Sequence, residues 1–286
     1  MPFPRATPFL LVLFMHAAHT RADTVHIAGS RVLAPVVVEA AKILHEERGI
    51  DVSLNTDGGT AGGIAAVLER QAQVAMCIRP ATGEERAQNP GFTFTEISIG
   101  KCAVALTVSP DVWERGLHEI TRAQMREIYE SHATTWKKFG GPDTKIAFFN
   151  RDEGRGVWET FAEWLYGSTG SAPGVNLEIV TNDHDALDAV TTHAGAFTQL
   201  PSLLVDGKAA FTLAIKTEEG AVIDPTLKNV VLRRYPMVFP LLLVVEDRPT
   251  REIKVFVDFM LSPRGQEILR KHGYIPEADL LKEKSE

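Results

Sequence analysis

Four places in the sequence carry residues that could hold a small anion, and each joins a strand-like run to a helix-like run. They are Gly29-Ser30-Arg31, the glycine-rich stretch TDGGTAGG at 56–63 with Gly59 and Thr60, Arg79, and NRDEGRGV at 150–157. A helix start offers backbone N–H groups that have no partner within the helix, together with positive potential from the helix dipole. Hydroxyl and guanidinium groups beside such a start are suited to bind an oxyanion.

The stretch at 150–157 has the most unusual pattern of the four. Arg151 and Arg155 both precede the start of an amphipathic pattern, and Gly156 follows them. Two cations near the positive end of a helix are unfavourable unless an anion lies between them. Asp152 and Glu153 offer the alternative explanation, because they could neutralise the arginines directly.

The other three places also allow explanations without a ligand. Ser30 could simply cap a helix, although this does not explain the cation of Arg31 beside it. The turn at Gly59 and Thr60 is a weak signal, because glycine pairs are common in turns. Arg79 ends a buried strand-like run, so it needs either an acidic partner or a bound anion.

The elements around these places alternate between strand and helix, which predicts an α/β fold with parallel sheets. Ligands of such sheets bind where the carboxyl ends of strands meet helix starts. The region from about 110 to 205 resembles a second βαβ unit inserted into the first. We therefore expect two lobes, each a mainly parallel sheet flanked by helices: 23–108 begins lobe 1, 109–205 forms lobe 2, and 206–286 returns to complete lobe 1.

The sequence also predicts a turn, a short strand and an interrupted helix at defined positions. The glycine-rich stretch 56–63 is expected to be a turn before a helix. The run 230–232 is expected to be a short strand. The pattern from 252 to 272 is expected to be one long helix interrupted at Ser262-Pro263.

The N-terminus has the pattern of a secretory signal peptide. Arg5 precedes an apolar run from Pro8 to Ala18, and small residues precede a cleavage position after Ala22. The run is too short to span a bilayer about 30 Å thick. We expect residues 1–22 to be removed, leaving a protein in the periplasm or secreted, and no lipid anchor because no cysteine is nearby.

Composition excludes one class of partner and leaves the state of the cysteines open. The 286 residues are 44% hydrophobic and carry a net charge of −7, which argues against a nucleic-acid binder. Cys77 and Cys102 could be two free core thiols or one disulfide. The nine histidines show no metal-ligand spacing, so we expect no metal and no cofactor.

Beyond these patterns, nearly all of the mature chain resembles the periplasmic phosphate-binding proteins of ABC transporters, which have the type II solute-binding fold. The matching segments are AGSRVLAPVVVEAA (28–41), GGTAGGIAAV (58–67), VAMCIRPATGEE (74–85), ITRAQMREIYESHATTWKKFGG (120–141), NRDEGRGVWETF (150–161), RRYPMVFPLLLVV (233–245) and VFVDFMLSPRGQEILRKHGYIP (255–276). The resemblance implies two lobes that close on a dehydrated phosphate. It places Ser30 and Thr60 as hydroxyl donors, Arg151 as the arginine before the second-lobe helix, and Gly156 as the glycine of a Ser-Gly-Thr triplet.

The sequence departs from the family at the triplet and at two further positions. The triplet is Arg155-Gly156-Val157 here, and Val32 stands where the family has a first-turn threonine. An aspartate that accepts the phosphate proton in some members corresponds to Arg79. Hydroxyl donors are lost and guanidinium groups are gained, so selectivity among oxyanions should change, because the planar fork of arginine also suits carboxylates, phosphonates and phosphate esters.

The leading hypothesis is a monomeric solute-binding protein that captures phosphate or a related oxyanion and delivers it to an ABC permease of the inner membrane. A second hypothesis is a sensory or assembly protein on the same fold with weak or lost anion binding. A hydrolase of phosphate esters is the weakest hypothesis, since Asp183-His184-Asp185 is more simply the start of a capped helix. We therefore expect no catalytic residues.

Overall fold

Strands and helices alternate along the chain in the computed structural model, which describes residues 24–152, 156–167 and 178–285. The strands are β1 (Val25–Gly29), β2 (Val52–Asn55), β3 (Val74–Cys77), β4 (Phe94–Val108), β5 (Glu119–Thr121), β6 (Ala147–Arg151), β7 (Glu178–Val180), β8 (Ala196–Pro201), β9 (Phe211–Lys216), β10 (Val222–Ile223), β11 (Val238–Glu246) and β12 (Ile275–Pro276). The helices are α1 (Ala34–Arg48), α2 (Gly59–Leu68), α3 (Gly83–Ala87), α4 (Pro110–Glu114), α5 (Arg122–Tyr129), α6 (Gly156–Tyr166), α7 (Asp183–Thr192), α8 (Leu227–Val231), α9 (Arg251–Leu261), α10 (Pro263–Lys271) and α11 (Glu277–Ser285). The predicted α/β class is confirmed.

The strands form one curled sheet whose order is β2-β1-β3-β11-β4-β8-β6-β7. Strands β2, β1 and β3 are parallel, and β11 lies antiparallel between β3 and β4. Strands β8, β6 and β7 form a second parallel group. Away from this path, β9 pairs with β4, β5 and β10, and β12 pairs with β4. Parallel strands thus have their carboxyl ends at common edges, as the alternating pattern predicts.

The long strand β4 connects the two parallel groups. Its residues from Phe94 to Ala103 pair with β11, and those from Val104 to Val108 pair with β8. The change of partner therefore occurs within one continuous strand. The lobe boundaries that the sequence suggests remain a prediction.

Burial on both faces explains why the VAMC run is a central strand. Val74 and Met76 belong to a core cluster with residues of α1 and α9, whereas Ala75 and Cys77 belong to a cluster with residues of α2. Successive side chains of a strand point to opposite faces, so all four are buried when helices cover both faces.

The glycine-rich stretch lies mostly inside a helix, which corrects the expected turn. Helix α2 begins at Gly59, after Gly58 in the left-handed conformation with φ +81°. A Cβ on Gly63 would lie 2.6 Å from the Cα of Gly29, because α2 packs directly on β1. The glycines allow this close approach of helix and strand, which a turn prediction from composition does not detect.

Two further expectations concern the C-terminal part. The predicted strand at 230–232 is wrong: these residues lie in and just after α8, whose N-cap Thr226 accepts a hydrogen bond from the amide of Asn229. The local cap therefore favours a helical turn over a strand of three residues. The interruption at Ser262 is confirmed, since its hydroxyl caps α10 and its extended backbone separates α9 from α10.

Both cysteines are free and buried. Burial raises the pKa of Cys77 to about 12, and it raises the pKa of Cys102 well above its ordinary value. The predicted signal peptide, 1–22, lies outside the described residues. No helix in the described part of the chain has the length and hydropathy needed to span a bilayer.

Candidate ligand-binding site

A cleft of about 980 Å³ lies where the strand ends of the first parallel group meet helix α6. The segment 236–240, at the start of β11, contributes to it from a third side. The lining residues are Ser30, Gly58, Gly59, Thr60, Ala61, Ile78, Arg79, Pro80, Arg122, Glu159, Thr160, Glu163, Trp164, Pro236, Val238, Phe239 and Pro240. Ligand pockets in proteins typically have volumes of about 300–1,000 Å³, so this cleft has room for a solute larger than one inorganic anion.

Ser30 reaches the cleft because the chain turns sharply at the end of β1. Gly29 has φ +130°, and a Cβ there would lie 2.3 Å from the carbonyl oxygen of Met76. The amide of Ser30 donates to that same carbonyl at 2.8 Å, and the Ser30 hydroxyl accepts from the amide of Val32 at 3.4 Å. The turn therefore fixes a buried hydroxyl at the edge of the cleft.

Thr60 and Gly59 reach the cleft at the start of α2. The N-cap is Gly58, which makes no side-chain capping bond, and the first helical bond runs from Gly62 to Gly58. The amides of Gly59, Thr60 and Ala61 thus precede the helical ladder. The Thr60 hydroxyl accepts a hydrogen bond from the amide of Ile78 at 3.2 Å, which ties α2 to the end of β3. Its remaining capacity to donate is what an anion needs.

Arg79 lines the cleft, but it also has a carboxylate partner. Its two terminal nitrogens bond Glu85 at 2.9 and 2.8 Å in a bidentate pair. The hydrogen bond from Arg79 lowers the pKa of Glu85 to about 2, and Glu85 raises the pKa of Arg79 in return. The ion pair that the sequence offered as an alternative is therefore present, and it offsets part of the positive charge that Arg79 brings to the cleft.

Arg151 lies in the core and is not among the residues that line the cleft. It is 1% exposed, donates to Asp183 Oδ1 at 2.6 Å and to the carbonyl of Gln199 at 3.3 Å. Its Nε is buried without a hydrogen-bond partner in the described part of the structure. The sequence did not identify Asp183 as its partner, because the two residues are far apart along the chain.

Gly156 begins α6 and packs against apolar side chains that follow β1 and β3 and against one side chain of β11. A Cβ at this position would lie 2.9 Å from Ile78 Cδ1, 3.2 Å from Phe239 Cζ and 3.2 Å from Val32 Cγ2. The start of α6 therefore meets hydrocarbon where the resemblance implies hydroxyls.

The remaining two candidate residues are Arg31 and Arg155. Arg31 is exposed and lies outside the lining. Arg155 lies outside the described residues.

The wall formed by α6 carries residues that strand-end reasoning missed. Glu159 and Glu163 are one helical turn apart and face the cleft together with Trp164. Burial raises the pKa of Glu159, Arg79 lowers it, and Glu163 raises it further. The i, i+4 spacing of the two glutamates was the only sequence signal that could have placed them on one face.

The cleft carries both signs of charge. Two arginines, Arg79 and Arg122, and the two glutamates Glu159 and Glu163 line it. Within 24–152, 156–167 and 178–285, no group of three His, Cys, Asp or Glu side chains is placed to hold a metal ion. The described arrangement can bind a solute through hydroxyls, helix-start amides and guanidinium groups.

Comparison with known proteins identifies relatives along almost the whole chain. A family model described as the PBP superfamily domain matches residues 16–264. The phosphate-binding protein PstS of Bacillus subtilis (strain 168) is 26% identical over 256 residues, which cover 89% of this chain and 81% of the relative. An ABC-type phosphate transport receptor from Vibrio cholerae has a TM-score of 0.68 and 25% identity, covering 88% of this chain and 99% of that one. PstS from Borrelia burgdorferi shares the fold, with a TM-score of 0.63, 21% identity and coverage of 88% and 98%.

Proposed function

The chain belongs to the PBP superfamily, and we propose that it is an extracytoplasmic solute-binding protein that captures phosphate or a related oxyanion for import by an ABC permease. The observation that carries this proposal is the meeting of the Ser30 turn and the uncapped start of α2 in one cleft. A relative named as a phosphate-binding protein matches 89% of this chain, and a phosphate transport receptor of solved structure matches 88% of it. The mechanism requires binding and no covalent chemistry.

We place the anion on the side of the cleft formed by the Ser30 turn and the start of α2. The hydroxyls of Ser30 and Thr60 and the first-turn amides of α2, including that of Gly59, surround this region, and Arg79 lies beside it. Helix-start amides donate to an anion, and each of the two hydroxyls can donate as well, since its bond from a backbone amide uses only an acceptor lone pair. The roles of Arg31, Arg151, Arg155 and Gly156 in this site rest on the resemblance and the sequence pattern alone.

We also propose that binding shifts an equilibrium between open and closed arrangements of two lobes. The lobes would be 23–108 with the returning part of 206–286, and 109–205 as the inserted part. The continuous strand β4 supports this division, because its first part pairs with β11 and its last part pairs with β8. Strand β11 returns to pair with β3 of the first parallel group. The permease would recognise the closed form of a monomer, since a ligand favours whichever state it binds more tightly.

Calorimetric titration of the mature protein with phosphate, sulfate, phosphonates and small carboxylates tests the proposal. We expect one saturable site, and we expect Thr60→Val to weaken it about five-fold, since one net hydrogen bond contributes roughly 1 kcal/mol. Thr56→Val is the matched control, because Thr56 is the first residue of the same glycine-rich stretch and is not among the cleft-lining residues. If none of these anions binds, or if the two variants weaken binding equally, the proposed site is wrong.

A second candidate function is a sensory or assembly protein with weak or lost anion binding. Two observations favour it: Gly156 packs on Val32, Ile78 and Phe239, and both Arg79 and Arg151 already have carboxylate partners. This candidate predicts no calorimetric binding by any of the four anion classes, together with a stable protein partner recovered from the cell envelope.

A further inference from the structure

A second cavity of about 360 Å³ adjoins the cleft, since Pro236, Val238 and Pro240 line both. Its other lining residues are Lys101, Val230, Arg233 and Tyr235. The phenol of Tyr235 donates to the carbonyl of Val104 at 2.6 Å, so its proton is not available to a ligand. The cationic side chains of this second cavity are therefore its principal binding groups.

Lys101 is half-buried on β4 without an ion-pair partner among the described residues. It lies opposite Pro240 of β11 and Ile275 of β12, so strands flank it on both sides. Burial lowers the pKa of Lys101, and the charges of Lys284 and Arg233 lower it further, while Glu277 acts in the opposite direction. The Glu277 carboxylate accepts a hydrogen bond from Ser98 at 2.5 Å. Positive charge is thus in excess around Lys101.

Arg233 is held in a backbone conformation that favours glycine. Its φ is +55°, just beyond the C-terminal end of α8, where left-handed residues are usually glycine. Arg70 has a similar φ of +61°, but it pairs with Glu246 at 3.6 Å and lies over the Phe92 ring. Arg233 has neither kind of contact in the described part of the chain.

The C-terminal end of a helix attracts cations through the helix dipole, which accounts for the positive charge of Arg233 just beyond the end of α8. It does not account for the placement of that charge in the same cavity as Lys101, where the two cations repel each other. An anion between them would remove this repulsion and bind both, as charge-assisted hydrogen bonds are stronger than neutral ones.

We propose that this second cavity binds a small doubly charged anion between Lys101 and Arg233. The apolar rim of Val230, Val238 and Pro240 is compatible with a short hydrocarbon part, so phosphate esters and dicarboxylates share the chemistry with inorganic phosphate. This site does not depend on anion binding in the cleft.

Calorimetry at low ionic strength with inorganic phosphate, glycerol phosphate and succinate, each titrated separately, tests this site and identifies the anion. We expect Lys101→Met and Arg233→Gly each to weaken one saturable binding event about ten-fold, because each removes one charge-assisted contact. Thr60→Val should leave that event unchanged, which separates it from binding in the cleft. Arg70→Gly is the matched control for replacing a left-handed arginine, and it should also leave the event unchanged.

Thermal unfolding without anion separates a ligand role from a structural one. We expect Arg233→Gly to raise the midpoint, because glycine adopts the left-handed conformation more easily than arginine. A lower midpoint for this variant would assign Arg233 to the fold and overturn the proposal. So would isotherms identical in wild type and Lys101→Met, or the absence of saturable binding by any of the three anions.

Discussion

The buried ion pair between Arg151 and Asp183 leads to a quantitative prediction for stability. The Arg151 guanidinium is 1% exposed, and Nη2 lies 2.6 Å from Asp183 Oδ1. Replacing Asp183 by alanine leaves a buried cation whose one remaining hydrogen bond within the described residues is to the carbonyl of Gln199, at 3.3 Å. We expect this substitution to destabilise the protein strongly.

The magnitude follows from the burial of both partners. Removing one partner of a fully buried pair costs about 3–5 kcal/mol. The Asp183 side chain is 33% exposed, so water screens the pair and can enter to solvate Arg151; we therefore expect roughly 2–3 kcal/mol. For a chain of this size, that loss lowers the thermal midpoint by roughly 4–12 °C.

Asp185→Ala is the matched control, because Asp185 also lies in the first turn of α7 and loses the same favourable interaction with the helix dipole. That interaction contributes about 0.3–1 kcal/mol. Urea unfolding of both variants in phosphate-free buffer measures the difference, provided the slope of unfolding free energy against urea is unchanged. If Asp183→Ala costs no more than Asp185→Ala, the carboxylate does not offset the burial of Arg151, and the reasoning is refuted.

Three further predictions concern the cleft and the core. The folded pKa of Glu85 is lowered to about 2, so its ion pair with Arg79 stabilises the fold at pH values above the unfolded pKa of 4.5. Urea midpoints measured over a series of pH values should show that the stability lost in Glu85→Gln shrinks as the pH falls from about 4.5 towards 2. The control Glu84→Gln should change the midpoint little over the same range. The folded pKa of Glu159 is raised, so the charge of its carboxylate destabilises the fold at pH 7. Glu159→Gln should therefore raise the thermal midpoint at pH 7, and this gain should disappear below pH 4.5. A lower midpoint for the variant at pH 7 would contradict the prediction. Cys77 and Cys102 should resist a thiol reagent in the native protein and react on unfolding, since both are buried with raised pKa values; rapid native labelling would refute this.

The resemblance of the sequence to phosphate-binding proteins is confirmed by the matching family model and by relatives along most of the chain. The α/β class was predictable because alternation and helical spacing are local properties. The apolar run VAMC forms strand β3, in which all four side chains are buried, and Ser262 caps a helix through its own hydroxyl. The junctions at Ser30, Thr60 and Arg79 meet in one cleft because parallel strands have their carboxyl ends at a common edge.

The tertiary structure decided which partner each charged side chain takes. Arg151 pairs with Asp183 from a later helix, and Glu159 on α6 faces the wall that holds Thr60. These relations join residues that are distant along the chain, and their free energies depend on burial and on the positions of neighbouring elements. Local periodicity specifies the elements and their ends, whereas packing specifies which side chains share a site and how much water reaches them.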